Sequence, residues 1–123
     1  MVKESTRAKG KLGEDAAIKY LMANNYLIIE RNYKNRLGEI DLIARDGDTI
    51  VFIEVKSRST LHYGNPEAAV DLRKQNKIIR VALSYINEKK CSDHPCRFDV
   101  VSIYGNKLEV IKNAFEIQER FLW

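Results

Sequence analysis

The stretch Gly38–Arg58, GEIDLIARDGDTIVFIEVKSR, decides the fold. Two runs rich in Ile, Val, Leu and Phe flank Asp46, Gly47 and Asp48, a polar turn that makes the runs the two strands of a hairpin. Each run also carries acidic residues, which strands disfavour because Asp and Glu neither pack nor pair well there. Side chains alternate across a strand, so Val51, Ile53 and Val55 share one face while Phe52, Glu54 and Lys56 share the other. Glu54 and Lys56 are then neighbours about 6 to 7 Å apart at the backbone. On the first run, Ile40, Leu42 and Ala44 make one side and Glu39, Asp41 and Ile43 the other. A turn centred near Gly47 and Asp48 sets Asp41 opposite Glu54. A centre half a step away offsets that pair, and burying the aliphatic faces together favours the first register.

Two carboxylates and an ammonium therefore converge on one patch. Like charges about 4 Å apart near a protein surface repel by roughly 4 kcal/mol at an effective dielectric of 20. A divalent cation removes that cost, and one or two carboxylates with water describe a magnesium or manganese site that also takes substrate phosphates. The adjacent Lys56 can orient or deprotonate water, or stabilise charge developing on a phosphate. The competing reading is a solvated sheet face with an ordinary cross-strand ion pair of little energetic worth.

An Asp on one strand followed, after a turn, by Glu-x-Lys on the next resembles the PD-(D/E)XK nuclease core. The wording here, Gly38-Glu39-Ile40-Asp41-Leu42-Ile43 and Phe52-Ile53-Glu54-Val55-Lys56-Ser57-Arg58, is similar to that of the YraN family of small bacterial proteins, which itself resembles archaeal Holliday-junction resolvases. Ile40 stands where the motif name has proline, a departure that many members of the wider superfamily share. The resemblance implies that Asp41 and Glu54, with the carbonyl of Val55, hold magnesium or manganese, and that Lys56 positions the attacking water.

Ahead of the hairpin, residues from about Thr6 to Asn24 have a helical pattern, with Leu12, Ala16, Ala17, Tyr20, Leu21 and Ala23 at spacings of three and four. Glu14 falls in line with Gly10, Ala17, Ile18 and Leu21, so a carboxylate sits on a small and apolar face. From the helix alone, a partly exposed glutamate paired with Lys11 or Lys19 is preferred. The resemblance changes that weighting: Gly10, Gly13-Glu14 and Ala17 match the family's opening motif, and related resolvases carry a glutamate here that holds a second ion or a water on the metal. The small residues would let this helix approach the sheet closely. Tyr26–Tyr33 reads as a strand, and Lys34, Asn35 and Arg36 as a polar turn into the hairpin. Arg36 is a candidate phosphate contact beside the acids, with a solvated turn arginine as the preferred alternative.

After Arg58, itself a candidate nucleic-acid contact, residues 59–66 read as a loop containing His62, a loop histidine without a partner. Tyr63-Gly64-x-Pro66-Glu67-Ala68 is similar to a family segment. Pro66 and Glu67 suit the first turn of a helix running to about Ile86. Leu72, Ile79, Leu83 and Ile86 form its apolar stripe, with Gln75 and Ala82 on the margin. Arg73, Lys77 and Arg80 form a basic stripe, flanked by Lys74. Such a face is most often solvated, but here the helix follows the Glu-x-Lys strand, which gives weight to nucleic-acid contacts from Lys74 and Lys77. Lys74-Gln75 resembles the polar position that PD-(D/E)XK proteins place on this helix, implying that Gln75 supports the water or phosphate. Arg97–Ile103 and Lys107–Ile111 read as strands joined at Gly105-Asn106. Arg97-Phe98-Asp99-Val100-Val101 and Asn113-Ala114-Phe115 also resemble family segments. Asp99 reads as structural, with a place near the site as the alternative. Residues 113–123 suit a short helix.

At 123 residues the chain is expected to be one domain, with 45% apolar and 31% charged residues as in soluble globular proteins. No run is apolar enough for a membrane span, and the start lacks the apolar core of a secretion signal, so no membrane partner and a cytoplasmic location are expected. A net charge of +4 permits a polyanionic partner without demanding one. Cys91 and Cys96 have unconvincing spacing for zinc, and no glycine-rich phosphate loop, Ser-His-Asp set or Cys-His pair stands out.

The order helix, three strands, helix, two strands gives an α/β sandwich on a mixed sheet of about five strands, α-β-β-β-α-β-β, which is also the order of the restriction-endonuclease-like core. Short hairpins make the first three strands antiparallel, and the helical crossover lays the fourth parallel to the third. The resemblance implies a metal-dependent nuclease acting on structured or branched DNA. The alternative is a nucleic-acid-binding or partner-docking module with the same fold and little activity. The small surface suits a homodimer or a larger protein partner.

Overall fold

The structure, a computed structural model, describes residues 6–58 and 70–117. Helix α1 (Thr6–Ala23) leads into strands β1 (Leu27–Asn35), β2 (Gly38–Asp46) and β3 (Thr49–Arg58); helix α2 (Leu72–Lys89) precedes β4 (Cys96–Tyr104) and β5 (Lys107–Phe115). The five strands form one mixed sheet in chain order. Neighbours are antiparallel except β3 and β4, which run parallel as the crossover through α2 requires. His62 and Tyr63 lie outside the described residues.

The sheet is buried on both faces. Leu42, Ala44, Val51, Ile53 and Val101 pack with Ala17 and Leu21 of α1, while Ile40, Ile43, Ile50, Phe52, Phe98 and Val100 pack with Ile78, Ile79, Val81, Ala82 and Tyr85 of α2. This two-sided burial explains why the strands read as nearly continuous aliphatic runs. Helix α1 lies close to β3 at Gly13, where an added Cβ would stand 2.7 Å from Ser57 Oγ; at Gly10 the space is open. The expected close approach thus rests on one of the two glycines.

The alternation expected for β2 fails at one place. Ile40 faces α2 together with Ile43, not α1 with Leu42 and Ala44. The cause lies on β1, where the register pairs Arg31 with Leu42 and Tyr33 with Ile40 and thereby sets Asn32 opposite Asp41. Asn32 has φ 54°, a left-handed conformation that Asn tolerates better than most side chains. Arg31 consequently reaches α1 while Tyr33 stacks edge-on against Tyr85 of α2. Both strands change faces at the Asn32–Asp41 position.

Three element boundaries differ from expectation. Strand β1 continues through Asn35, so the turn is at Arg36 and Leu37, whose N–H is bound by Asn35 Oδ1 at 2.8 Å. Helix α2 begins at Leu72: Asp71 is extended, and its carboxylate caps Lys74 N–H at 2.8 Å, so no helix runs through Asp71 from the expected start at Pro66 and Glu67, which lie outside the described residues. Its buried face is centred on Ile78, Ala82 and Tyr85, leaving Leu72 56% exposed. Strand β5 runs through Asn113 to Phe115, where a C-terminal helix was expected. Asn113, at φ 55°, makes a second left-handed irregularity opposite Asp99, and Phe115 stacks on Phe98 at 5.0 Å. Residues 118–123 lie outside the described part.

Candidate functional site

The β2–β3 ladder pairs Asp46 with Thr49 and runs to Leu42 opposite Ile53. One step further, at the expected Asp41–Glu54 position, backbone pairing gives way to a side chain. Val55 N–H donates to Asp41 Oδ2 at 2.8 Å. Asp41 therefore closes the open end of the ladder with its carboxylate. Glu54 alternates with Ile53 and Val55, which face α1, and so projects on the α2 side, where Lys74 Nζ lies 3.6 Å from Glu54 Oε1.

Both acids are buried enough to disfavour charge. Burial raises the pKa of Asp41, Val55 N–H opposes the rise, and Glu14 adds to it. Burial and then Asp41 push Glu54 up to about 7, against the lowering effects of Lys74 and Lys56. The pair is thus under-compensated by the protein's own cations. Lys56 is exposed on the same strand face as Glu54 and close enough to act on its charge.

Glu14 has a partner that the sequence reading missed. Its Oε1 is buried without a hydrogen bond, 3.5 Å from Arg31 Nε, and Arg31 Nη2 is 2.6 Å from Asp15. Neither Lys11 nor Lys19 plays that part, although the Lys11 carbonyl accepts from Arg31 Nη2 at 3.5 Å. A lone arginine in the middle of β1 was the visible signal for this contact. Glu14 is near enough to raise the pKa of Asp41, yet among the described residues no three His, Cys, Asp or Glu side chains gather as a metal-holding group.

Gln75 is half-buried and donates from Nε2 to the Val70 carbonyl at 2.9 Å, tying the start of α2 to the preceding chain. Lys77 is exposed one turn beyond Lys74. Arg36 is not beside the acids, because it sits in the β1–β2 turn, five residues and about 16 Å of extended chain from Asp41. Arg58 ends β3, and its side chain is outside the described part. Asp99 belongs elsewhere: it is 1% exposed and bound by Arg97 Nε at 3.0 Å and Asn113 N–H at 2.9 Å. Cys91 and Cys96 are free thiols.

Asp41 and Glu54 are hard oxygen donors of the kind that magnesium or manganese takes. The fit follows from the acids' electrostatics: a divalent cation supplies the positive charge that Lys74 and Lys56 do not fully provide.

Comparison with known proteins gives one consistent answer. The family model described as "Uncharacterised protein family UPF0102" matches residues 13–103. A UPF0102 protein of Syntrophus aciditrophicus is 50% identical over 112 residues, covering 88% of each chain. One from Persephonella marina is 46% identical, covering 89% of this chain and 94% of its own. One from Acetivibrio thermocellus is 48% identical, with 92% and 95% covered.

Proposed function

The chain belongs to the UPF0102 family, also called YraN, and from this premise we propose that it is a magnesium- or manganese-dependent nuclease acting on structured or branched DNA. The observation that carries the reading is the Asp41–Glu54 pair at the open end of the β2–β3 ladder, under-compensated in charge and flanked by Lys56 and Lys74. The α-β-β-β-α-β-β order supports the restriction-endonuclease-like comparison; fold alone does not carry activity.

In this reading Asp41, Glu54 and the Val55 carbonyl hold the divalent ion, which when bound supplies Lewis-acid stabilisation to a phosphodiester. Lys56 orients a water for in-line attack and stabilises the charge gained by the phosphate. Lys74 neutralises Glu54 before substrate enters and is placed to turn to a phosphate oxygen. Gln75 fixes the start of α2, and with it the position of Lys74. Glu14, held by Arg31, stands in reserve for a second ion or a water. A nuclease of this kind would meet its DNA in the cytoplasm. Among the described residues no helix is long and apolar enough to cross a membrane.

A second reading, a binding or partner-docking module with little turnover, is favoured by the lack of a three-acid cluster among the described residues. Cleavage separates the two. Labelled single-stranded, duplex, flap and four-way-junction DNAs are incubated with magnesium or manganese and with wild type, Asp41→Asn or Lys56→Ala. Metal-dependent cutting that both substitutions abolish is the expected result. A folded wild-type protein that binds the metal and cuts none of these substrates overturns the nuclease reading in favour of the module.

A further inference from the structure

The chain carries 21 basic and 17 acidic residues, and the segment Leu72–Asn87 holds four of the basic ones and none of the acidic. The rest of the chain is therefore balanced, and the whole excess of +4 sits on one helix. Helix α1 carries a smaller excess: Arg7, Lys9, Lys11 and Lys19 against Glu14 and Asp15.

The fold directs this helix from the acid pair to the β1–β2 hairpin. At one end Lys74 Nζ is 3.6 Å from Glu54. Arg73 is exposed just before Lys74, Lys77 is exposed one turn further on, and Arg80 continues their row. Ten residues past Lys74, about 15 Å along the helix axis, Ser84 Oγ accepts from Asn35 Nδ2 at 3.4 Å. Nearby, an added Cβ at Gly38 would meet Val81 at 3.3 Å, so the hairpin lies close against α2. That contact sets the exposed Arg36 beside the far end of the helical row, whereas Lys34 alternates with Tyr33 and Asn35 and so projects on the opposite face of the sheet, across from Glu39. Two acids at the helix ends are engaged: Asp71 caps Lys74 N–H, and Glu88 accepts from the Tyr33 hydroxyl at 2.8 Å.

We propose that Lys74, Arg73 and Lys77 of α2, together with Arg36 of the β1–β2 hairpin, form a track for the phosphate backbone of a nucleic acid. It leads away from the acid pair on the α2 side. The inference rests on the nucleic-acid reading of that pair and adds the direction from which the backbone reaches it. The track contacts phosphates and not bases, so it positions the substrate without reading sequence. Arg36, distant from the acids, acquires a role there as the outer end of the grip.

The test measures binding of a labelled duplex and a four-way junction by fluorescence anisotropy in EDTA across a salt series. Wild type is compared with Arg73→Ala/Lys77→Ala, with Arg36→Ala, and with the off-track control Lys19→Ala/Lys107→Ala, which removes as much charge as the α2 double variant. Circular dichroism checks that each variant is folded. Track variants are expected to weaken binding severalfold and to lower the slope of log affinity against log salt by about 1 per side chain removed. The control should leave both unchanged. Equal losses in track and control variants, wild-type affinity in the track variants, or absence of wild-type binding at low salt each overturn the track. So does binding of anionic lipid vesicles in preference to DNA. Cleavage assays run in parallel keep the two conclusions apart. Wild-type cutting with unaffected track variants removes the track and leaves the nuclease; track-dependent binding without cutting does the reverse.

Discussion

Asp41 performs two tasks with one carboxylate, and substitutions can divide them. One oxygen accepts Val55 N–H where the ladder ends, while the negative charge raises the pKa of Glu54. Asp41→Asn can keep an acceptor for Val55 while removing the charge; Asp41→Ala removes both. Both variants should abolish metal-dependent cleavage. Urea unfolding should separate them, with Asn at or above wild-type stability and Ala lower by about 1 to 3 kcal/mol for the abandoned N–H. The pH dependence follows from Glu54. Its folded pKa of about 7 lies above the ordinary glutamate value, so its contribution is fully present below about pH 4.5 and is lost as pH rises towards 7. The metal-free protein should thus melt at a lower temperature at pH 8 than at pH 5. Magnesium or manganese should recover much of the loss in wild type and little in Glu54→Gln. A melting temperature that stays level across this range would remove the electrostatic argument for the site. The Asp41–Glu54 juxtaposition was legible because Gly47, at φ 62°, fixes the turn and the turn fixes the register. For the Arg31–Glu14 contact only the mid-strand arginine was legible; its partner was not, because the contact joins elements whose relative rotation no local pattern encodes.

Strand β1 shows what periodicity leaves out. Alternation assumes an unbroken pleat, and Asn32 breaks it: one left-handed residue sends Arg31 to α1 and Tyr33 to α2. Asn in a strand looks like a weak strand former, and nothing local marks it as the point where two strands change faces. Substitution should reveal the conformational demand. Asn32→Gly can adopt φ 54° without a Cβ penalty and should stay within about 0.5 kcal/mol of wild type. Asn32→Val should cost on the order of 1 to 3 kcal/mol in denaturant unfolding. Equal stability of the two variants would mean that the bend is set elsewhere. Helix α2 failed to match expectation for a related reason. Pro66 and Glu67, outside the described residues, offer a plausible helix start, but Asp71 is extended and bonds Lys74 N–H, so α2 itself is capped there. Of the expected apolar stripe, Ile79 is fully buried and Leu83 and Ile86 pack against the core; only Leu72 is exposed, and Ile78, Val81 and Tyr85, which the helix alone does not single out, complete the buried face. Strand order and parallelism were legible despite these errors, because they depend on connection lengths and not on element ends.

The molecule contains a second group of acids on the opposite face of the sheet, and the comparison gives the candidate site its meaning. Arg97 reaches Asp99, Asp46 and the Tyr26 hydroxyl, with contacts of 3.0, 2.8 and 2.9 Å, and Lys112 stands 3.8 Å from Asp46. The network joins β2, β4 and the segment before β1, while Asn113 N–H adds β5 through Asp99. Hydrogen bonds from Arg97 lower the pKa of Asp46. Burial works against the charge on Arg97, but Asp99 and Asp46 more than offset it and raise its pKa. There the chain supplies its own cation; at Asp41 and Glu54 the described residues supply Lys74 at 3.6 Å and the nearby Lys56. Removing the internal cation should therefore be far costlier than removing an acid from the site. Arg97→Ala strands Asp99 in a buried position and should destabilise the protein by about 3 to 5 kcal/mol, with no recovery on adding magnesium or manganese. Glu54→Gln relieves an under-compensated charge and should hold or raise stability while abolishing cleavage. Guanidinium unfolding of both variants, with and without the metal, checks the contrast. Metal rescue of Arg97→Ala, or severe destabilisation by Glu54→Gln, would reverse the assignment of which acid group holds the fold and which is kept for chemistry.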